Sequence, residues 1–134
     1  MLGDRGELVA AEYLASMGYC ILERKYRFKR YEIDLICISP GPPRGTREVR
    51  SGRFAGKIHS GTLVFVEVKS VRSHRYGHPE CAVDSRKQQH ITTAARAFIA
   101  SRKFHHWRVR FDVISVDFSS ASPGIQHLED AFWV

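Results

Sequence analysis

Four side chains able to do chemistry sit in runs that otherwise read as core. In TLVFVEVKS, residues 62–70, Glu67 and Lys69 follow Leu63 and Phe65 along one face of a strand, and Val64, Val66 and Val68 take the other. Glu67 and Lys69 are then roughly 6–7 Å apart along the strand. Asp34, in YEIDLI, shares a face with Glu32, Ile36 and Ile38, while Ile33, Leu35 and Cys37 share the opposite one. Glu7 falls in the middle of a helical stripe made by Ala10, Ala11, Leu14 and Met17. Burying unpaired carboxylates is costly, and an effective neutraliser of gathered acids is a divalent cation. Mg²⁺ or Mn²⁺ would take these hard oxygens together with water and phosphate oxygens. Lys69 beside such an ion could orient or deprotonate a water, or stabilise an oxyanion. A purely structural alternative stays open for each group. Glu67 and Lys69 can be an ion pair at the wet end of a strand, Asp34 can cap a turn, and Glu7 can be an acid favoured near a helix N-terminus. A second Glu-x-Lys, Glu23-Arg24-Lys25, lies in an already charged run that an exposed strand end explains.

The elements that must position these groups follow from periodicity. Residues 4–17 read as a helix, with Asp4 able to cap it and Gly18 able to end it. Strands are expected over 19–28, 31–38, 62–70 and 107–118, with IQHL as a short fifth. Ser85 begins a second helix, with Gln88 three residues on as its capping box and Ile91, Ala94, Ala95 and Phe98 as its buried stripe. Residues 39–61 hold five Gly and three Pro, which argue against any regular element there. With Arg44, Arg47, Arg50, Arg53 and Lys57 against one acid, Glu48, the segment is expected to be a mobile basic loop.

Composition narrows the function classes. A chain of 134 residues suits one domain with one core, so 1–134 is read as a single unit. Lys and Arg number 21 against 14 Asp and Glu, a net charge of +7, which favours phosphate-bearing partners. No apolar run approaches the roughly 20 residues of a membrane helix, and residues 1–14 lack the apolar centre of an export signal. Three cysteines without a C-x-x-C pair fit reduced thiols, so a cytoplasmic setting is expected. Seven histidines show no H-E-x-x-H and His78-Pro-Glu-Cys81 lacks partners, so zinc is not expected. Without a G-x-x-x-x-G-K-[ST] loop, ATP use is not expected either.

The ordered set of motifs resembles a known family. YEIDLI followed by LVFVEVKS resembles the D…E-x-K core of the PD-(D/E)XK nuclease superfamily. With Glu7 on the first helix, the arrangement looks like that of Holliday junction resolvases. GDRGELVAAEYLASMGYCILERKYR, EIDLI, LVFVEVKSVRSHRYG, AVDSRKQQHITTAARAFI, RFDVISV and IQHLEDAF resemble, in order, the blocks of the YraN-like bacterial family, whose function is uncharacterised and which is described as endonucleases. The resemblance implies an α/β restriction-endonuclease-like core, in the order α-β-β-β-α-β, with a mixed central sheet flanked by helices. It implies Asp34, Glu67 and the Val68 carbonyl as metal ligands, Lys69 as the catalytic lysine and Glu7 as an accessory acid. Lys87 and Gln88, opening the second helix, match a basic-polar pair that contacts phosphate, and Arg72, Arg75 and Arg86 are the neighbouring candidates for DNA contact. Three departures stand out, the first being Ile33 where the superfamily's name-giving proline would stand, as is common in this branch. Tyr31 replaces a glycine usual before E-I-D, and the 39–61 segment is longer than the family's usual turn.

The leading expectation is therefore Mg²⁺- or Mn²⁺-dependent hydrolysis of DNA phosphodiester bonds, including branched or junction DNA. A homodimer would follow if junctions were cut symmetrically. The alternatives are a nucleic-acid-binding module on an inactive nuclease fold, and an adaptor whose 39–61 segment docks on an acidic protein.

Overall fold

The structure, a computed structural model, describes residues 2–40, 47–49, 56–58, 62–72 and 83–132. Helix α1 (Leu2–Ser16) leads into a hairpin of β1 (Cys20–Phe28) and β2 (Tyr31–Ile38). Two short strands, β3 (Arg47–Val49) and β4 (Gly56–Ile58), precede β5 (Leu63–Val71). Helix α2 (Ser85–Arg102), β6 (Val109–Asp117) and β7 (Gly124–Leu128) complete the order. Five strands form one sheet in the order β1-β2-β5-β6-β7. Among the described strands, only β5 and β6 pair in parallel, with α2 between them in the chain. The other neighbours are antiparallel, so the sheet is mixed. This arrangement matches the restriction-endonuclease-like core expected from the sequence.

Each face of the sheet is covered by one helix. Phe65, Leu63, Ile36 and Val113 pack with Ile91, Ala94, Ala95 and Phe98 of α2. Val64, Val66, Leu35, Cys37 and Ile114 pack with Ala10, Ala11 and Leu14 of α1. A strand covered on both sides must be apolar on both faces, which explains the unbroken run Leu63–Val66. Phe98 stands edge-on to Phe65 and stacks on Phe104, so aromatic contacts fasten α2 to the sheet.

Several sequence expectations need correction. Helix α1 starts at Leu2, so Asp4 lies in its first turn and does not cap it. Its carboxylate instead accepts from Lys25 Nζ at 2.5 Å. Met17 lies beyond the helix and is 57% exposed. Gly18, at φ +91°, does end the helix, and Tyr19 N–H returns to the Leu14 carbonyl at 3.0 Å. Helix α2 is capped by Asp84, which accepts from Lys87 N–H at 2.9 Å, and not by a box from Ser85. Ile33 joins Ile36 in the α2 cluster, apart from Leu35 and Cys37, because the strand's alternation breaks at Asp34. Within 39–61, Arg47–Val49 pairs antiparallel with Gly56–Ile58, so a small ribbon exists where glycine and proline content argued against one. Residues 41–46, 50–55 and 59–61 lie outside the described residues, and with them the expectation of mobility. Among the described residues, no helix is long and apolar enough to cross a membrane.

A buried polar knot ties the far side of the sheet. Asp112, on β6, is fully buried. Its carboxylate accepts from Arg110 Nε at 2.8 Å and Arg110 Nη2 at 2.9 Å, pairs with His127 Nε2 at 2.7 Å, and accepts from Asp130 N–H at 3.0 Å. His127 Nδ1 meets Tyr13 OH of α1 at 3.1 Å, which connects α1, β6 and β7. Burial pulls the Asp112 pKa upward, but His127, Arg110 and the Asp130 amide outweigh it and hold it below the ordinary value.

Two stability outcomes follow. Asp112→Ala should cost about 3 kcal/mol at neutral pH, read by urea unfolding, because it strands buried partners. The parent holds this contribution above the ordinary aspartate value near ~3.9 and loses it as pH falls through the lower folded value. The gap between parent and variant should therefore close in strong acid. In the other direction, Lys103 caps α2 in the left-handed region, at φ 60° and ψ 46°. Lys103→Gly should raise stability by about 1 kcal/mol, since a Cβ is disfavoured there.

Candidate metal centre

The site is built where the β2–β5 ladder ends. The strands pair through Leu35↔Val66, and the next step of that register would set Asp34 directly opposite Glu67. The backbone pairing stops there, and the Asp34 side chain replaces a main-chain acceptor, with Oδ2 taking the Val68 N–H at 2.7 Å. One aspartate thus both fills the opening between the strands and lies beside the neighbouring acids. Asp34 and Glu67 line a common cleft of about 410 Å³ beside the start of α2.

Helix α1 brings a further acid from the opposite face. Gly6 lets the helix approach β5 closely, since a Cβ there would come 1.9 Å from Ser70 Oγ and 3.3 Å from Ser70 Cβ. That approach sets Glu7 beside Asp34. Carboxylate oxygens of Glu7, Glu32 and Asp34 lie within 4.8 Å of one another. Lys25 reaches the group from β1, with Nζ 3.7 Å from Glu7 Oε2. The same Glu7 oxygen is buried without a hydrogen-bond partner among the described residues.

Glu67 is not part of that trio. It is 4% exposed, and its Oε1 lies 2.5 Å from Lys87 Nζ and 4.0 Å from Lys69 Nζ. The electrostatics register the crowding. Burial, then Asp34, push Glu67 up to about 7 despite the two lysines. Burial, then Asp34, likewise push Glu7 up to about 7. Burial and then Lys87 lower the Lys69 pKa. The Lys87 value rises, because Glu67 outweighs the effect of burial. Gathered hard oxygens, an unsatisfied buried carboxylate oxygen and two acids raised by burial and by Asp34 fit a divalent cation.

The remaining sequence candidates fall in different places. Arg86 is exposed and, with Lys87, lines the cleft. Gln88 turns its amide back onto the Val83 carbonyl at 3.0 Å. Arg72 is exposed just beyond β5, and Arg75 lies outside the described residues. Val68 offers its N–H to Asp34. Sequence reasoning passed over Glu32 and Lys25. Glu32 was visible as Asp34's neighbour on the same row, whereas Lys25, read as part of an exposed strand end, reaches the acids from a left-handed backbone, at φ 51°.

Comparison with known proteins adds a family. The family described as "Uncharacterised protein family UPF0102" matches residues 6–116. A "UPF0102 protein" of Trichlorobacter lovleyi is 39% identical over 132 residues, covering 98% of this chain and 89% of the relative. Those of Geobacter metallireducens and Chlorobium limicola are 39% and 38% identical, each covering 98% of this chain and 91% and 92% of their own lengths.

The raised acids make stability depend on pH. Folded Glu67 keeps its proton from its ordinary value of 4.5 up to about 7, where an unfolded chain has lost it. The folded state then binds more protons across that window, so stability falls as pH rises through it. In EDTA, the parent's thermal midpoint should fall between about pH 5 and about pH 7.5, and Glu67→Gln should flatten the fall. Identical slopes for parent and variant would contradict this account of the site.

Proposed function

Since the chain belongs to the UPF0102 (YraN-like) family, whose description assigns no activity, we propose from the site itself that it is a divalent-metal-dependent endonuclease acting on DNA phosphodiester bonds. The observation that carries the reading is the register. The paired antiparallel ladder ends at Leu35↔Val66, Asp34 and Glu67 lie just past that end and line one cleft, and Glu7 and Glu32 gather at Asp34. Asp34 and Glu67 would hold the cation, with the Val68 carbonyl as an additional oxygen and Glu7 and Glu32 as accessory acids. When bound, Mg²⁺ or Mn²⁺ supplies Lewis acidity and charge neutralisation at a phosphodiester.

The chain's own residues do the rest. Lys69, its pKa lowered, can orient the attacking water or steady the developing negative charge. Lys87 holds Glu67 in place through their ion pair. Arg86 and Lys87 on the cleft wall, with Arg72 beyond β5, bind backbone phosphates. Net positive charge draws the polyanion in. The free thiols Cys20 and Cys37 suit a reducing cytosol, where we place the reaction.

The Lys87–Glu67 ion pair favours one second reading. A carboxylate already neutralised by lysine has less need of a cation, so the fold could bind nucleic acid without cutting it. Purified protein incubated with Mg²⁺ or Mn²⁺ on single-stranded, duplex and four-way-junction DNA separates the two. Cleavage should appear, and Asp34→Ala and Glu67→Ala should each lower it by roughly 100-fold or more. Binding that needs no metal, with no cleavage under either ion, would establish the second reading. Variants that cut as well as the parent would end the first.

A further inference from the structure

The wall of the cleft carries a feature that metal chemistry does not use. Tyr31, the first residue of β2, stacks on His90 of α2, with ring centroids 4.4 Å apart and planes 23° apart. The Arg30 guanidinium lies over the same tyrosine ring, 5.5 Å from its centroid. All three line the cleft that holds Asp34 and Glu67. Tyr31 and His90 are half-buried and Arg30 is exposed. The stack thus stands partly open to solvent, with the exposed Arg30 over its tyrosine ring.

Resting on the nucleic-acid reading of the site, we infer that Arg30, Tyr31 and His90 form a stacking platform for one unpaired base beside the bond to be cut. The preferred substrate is then a strand with unpaired nucleotides at the cut, such as a single strand, a flap or a splayed arm. Continuous duplex is disfavoured. A base inside a duplex has both faces covered by its neighbours and offers none to a side chain. An unpaired base offers a free π-face, and aromatic rings and arginine planes are its common partners. His90 supports the tyrosine ring, and the exposed Arg30 can yield its place to the base and turn to the adjoining phosphate.

Position supports the same conclusion. Tyr31 precedes Asp34 by three residues of one strand, about 10 Å. That distance sets the stacked base close to, but not at, the acids. Arg86 and Lys87 continue the same wall with positive charge. Acids, cations and a flat aromatic surface lining one cleft suit a strand whose backbone passes the acids while one base is held aside.

The test is fluorescence anisotropy in EDTA, with a labelled single strand and a blunt duplex of equal length. It is paired with cleavage of the same DNAs in Mn²⁺. The parent should bind the single strand at least about ten-fold tighter than the duplex. Tyr31→Ala should lose about ten-fold on the single strand and leave duplex binding within about two-fold. Tyr31→Phe should retain the parent's preference. His90→Ala, a change on the surface of a helix, should repeat the selective loss, and it decides the matter if Tyr31→Ala fails to fold. A 2-aminopurine placed in the single strand should change its emission on binding to the parent and not to Tyr31→Ala.

Equal affinity of the parent for both DNAs, or equal weakening of both by Tyr31→Ala and His90→Ala, would overturn the platform. The two proposals fail separately. Cleavage of both DNAs alike, unaltered by Tyr31→Ala, leaves hydrolysis standing and removes the platform. Selective single-strand binding lost in Tyr31→Ala, with no cleavage, leaves the platform standing and removes hydrolysis.

Discussion

The hydrogen bond from Val68 N–H to Asp34 Oδ2 is the constraint on which the site depends. Two central strands cannot separate inside a covered sheet without leaving a backbone donor unsatisfied. Here a side chain satisfies it, and that side chain is an acid. The separation is therefore stable, and its filler is chemically useful. Everything nearby follows from the opening. Glu67 ends its buried row at the same level, and α1 can bring Glu7 to the gap because Gly6 lies flat against β5.

The electrostatic balance around this opening is tense by construction. Glu7 on α1 and Glu67 on β5 are both raised, while lysines from β1, β5 and α2 divide among the acids. A protein selected only for stability would bury apolar groups in these places. The rest of the molecule offsets the tension. Two apolar layers hold the sheet between helices, and the Asp112 knot satisfies its buried charge through four hydrogen bonds. The contrast between the two polar centres is informative. Asp112 and Glu67 are both buried carboxylates on the same sheet, yet the pKa of the first is held down by matched donors and that of the second is pushed up by burial and then by Asp34.

Much of this was legible in the residues. The apolar run before Glu67, the alternation of β5 and the stripe of α2 each mark a local element, and local elements obey short periods. The acids could be paired because both interrupted such rows. What escaped was non-local. The start of α1 was misplaced because the partner of Asp4 is Lys25, across the fold. Ile33 was assigned to the wrong face because strand alternation breaks only where the ladder opens, and no period records that. The β3–β4 ribbon depends on pairing that glycine and proline counts do not register. Glu32 and Lys25 join the site through a local twist of β1 and β2. Tyr31 and His90 are far apart in the chain, and nothing in either neighbourhood announces the other.

The outermost strand has a consequence of its own. β1 carries a register irregularity between Ile21 and Glu23, the left-handed Lys25 and exposed Arg24 and Arg27. Such features are how natural sheets avoid recruiting a stranger's strand along an unpaired border. These features disfavour growth of the sheet by edge-to-edge pairing along β1.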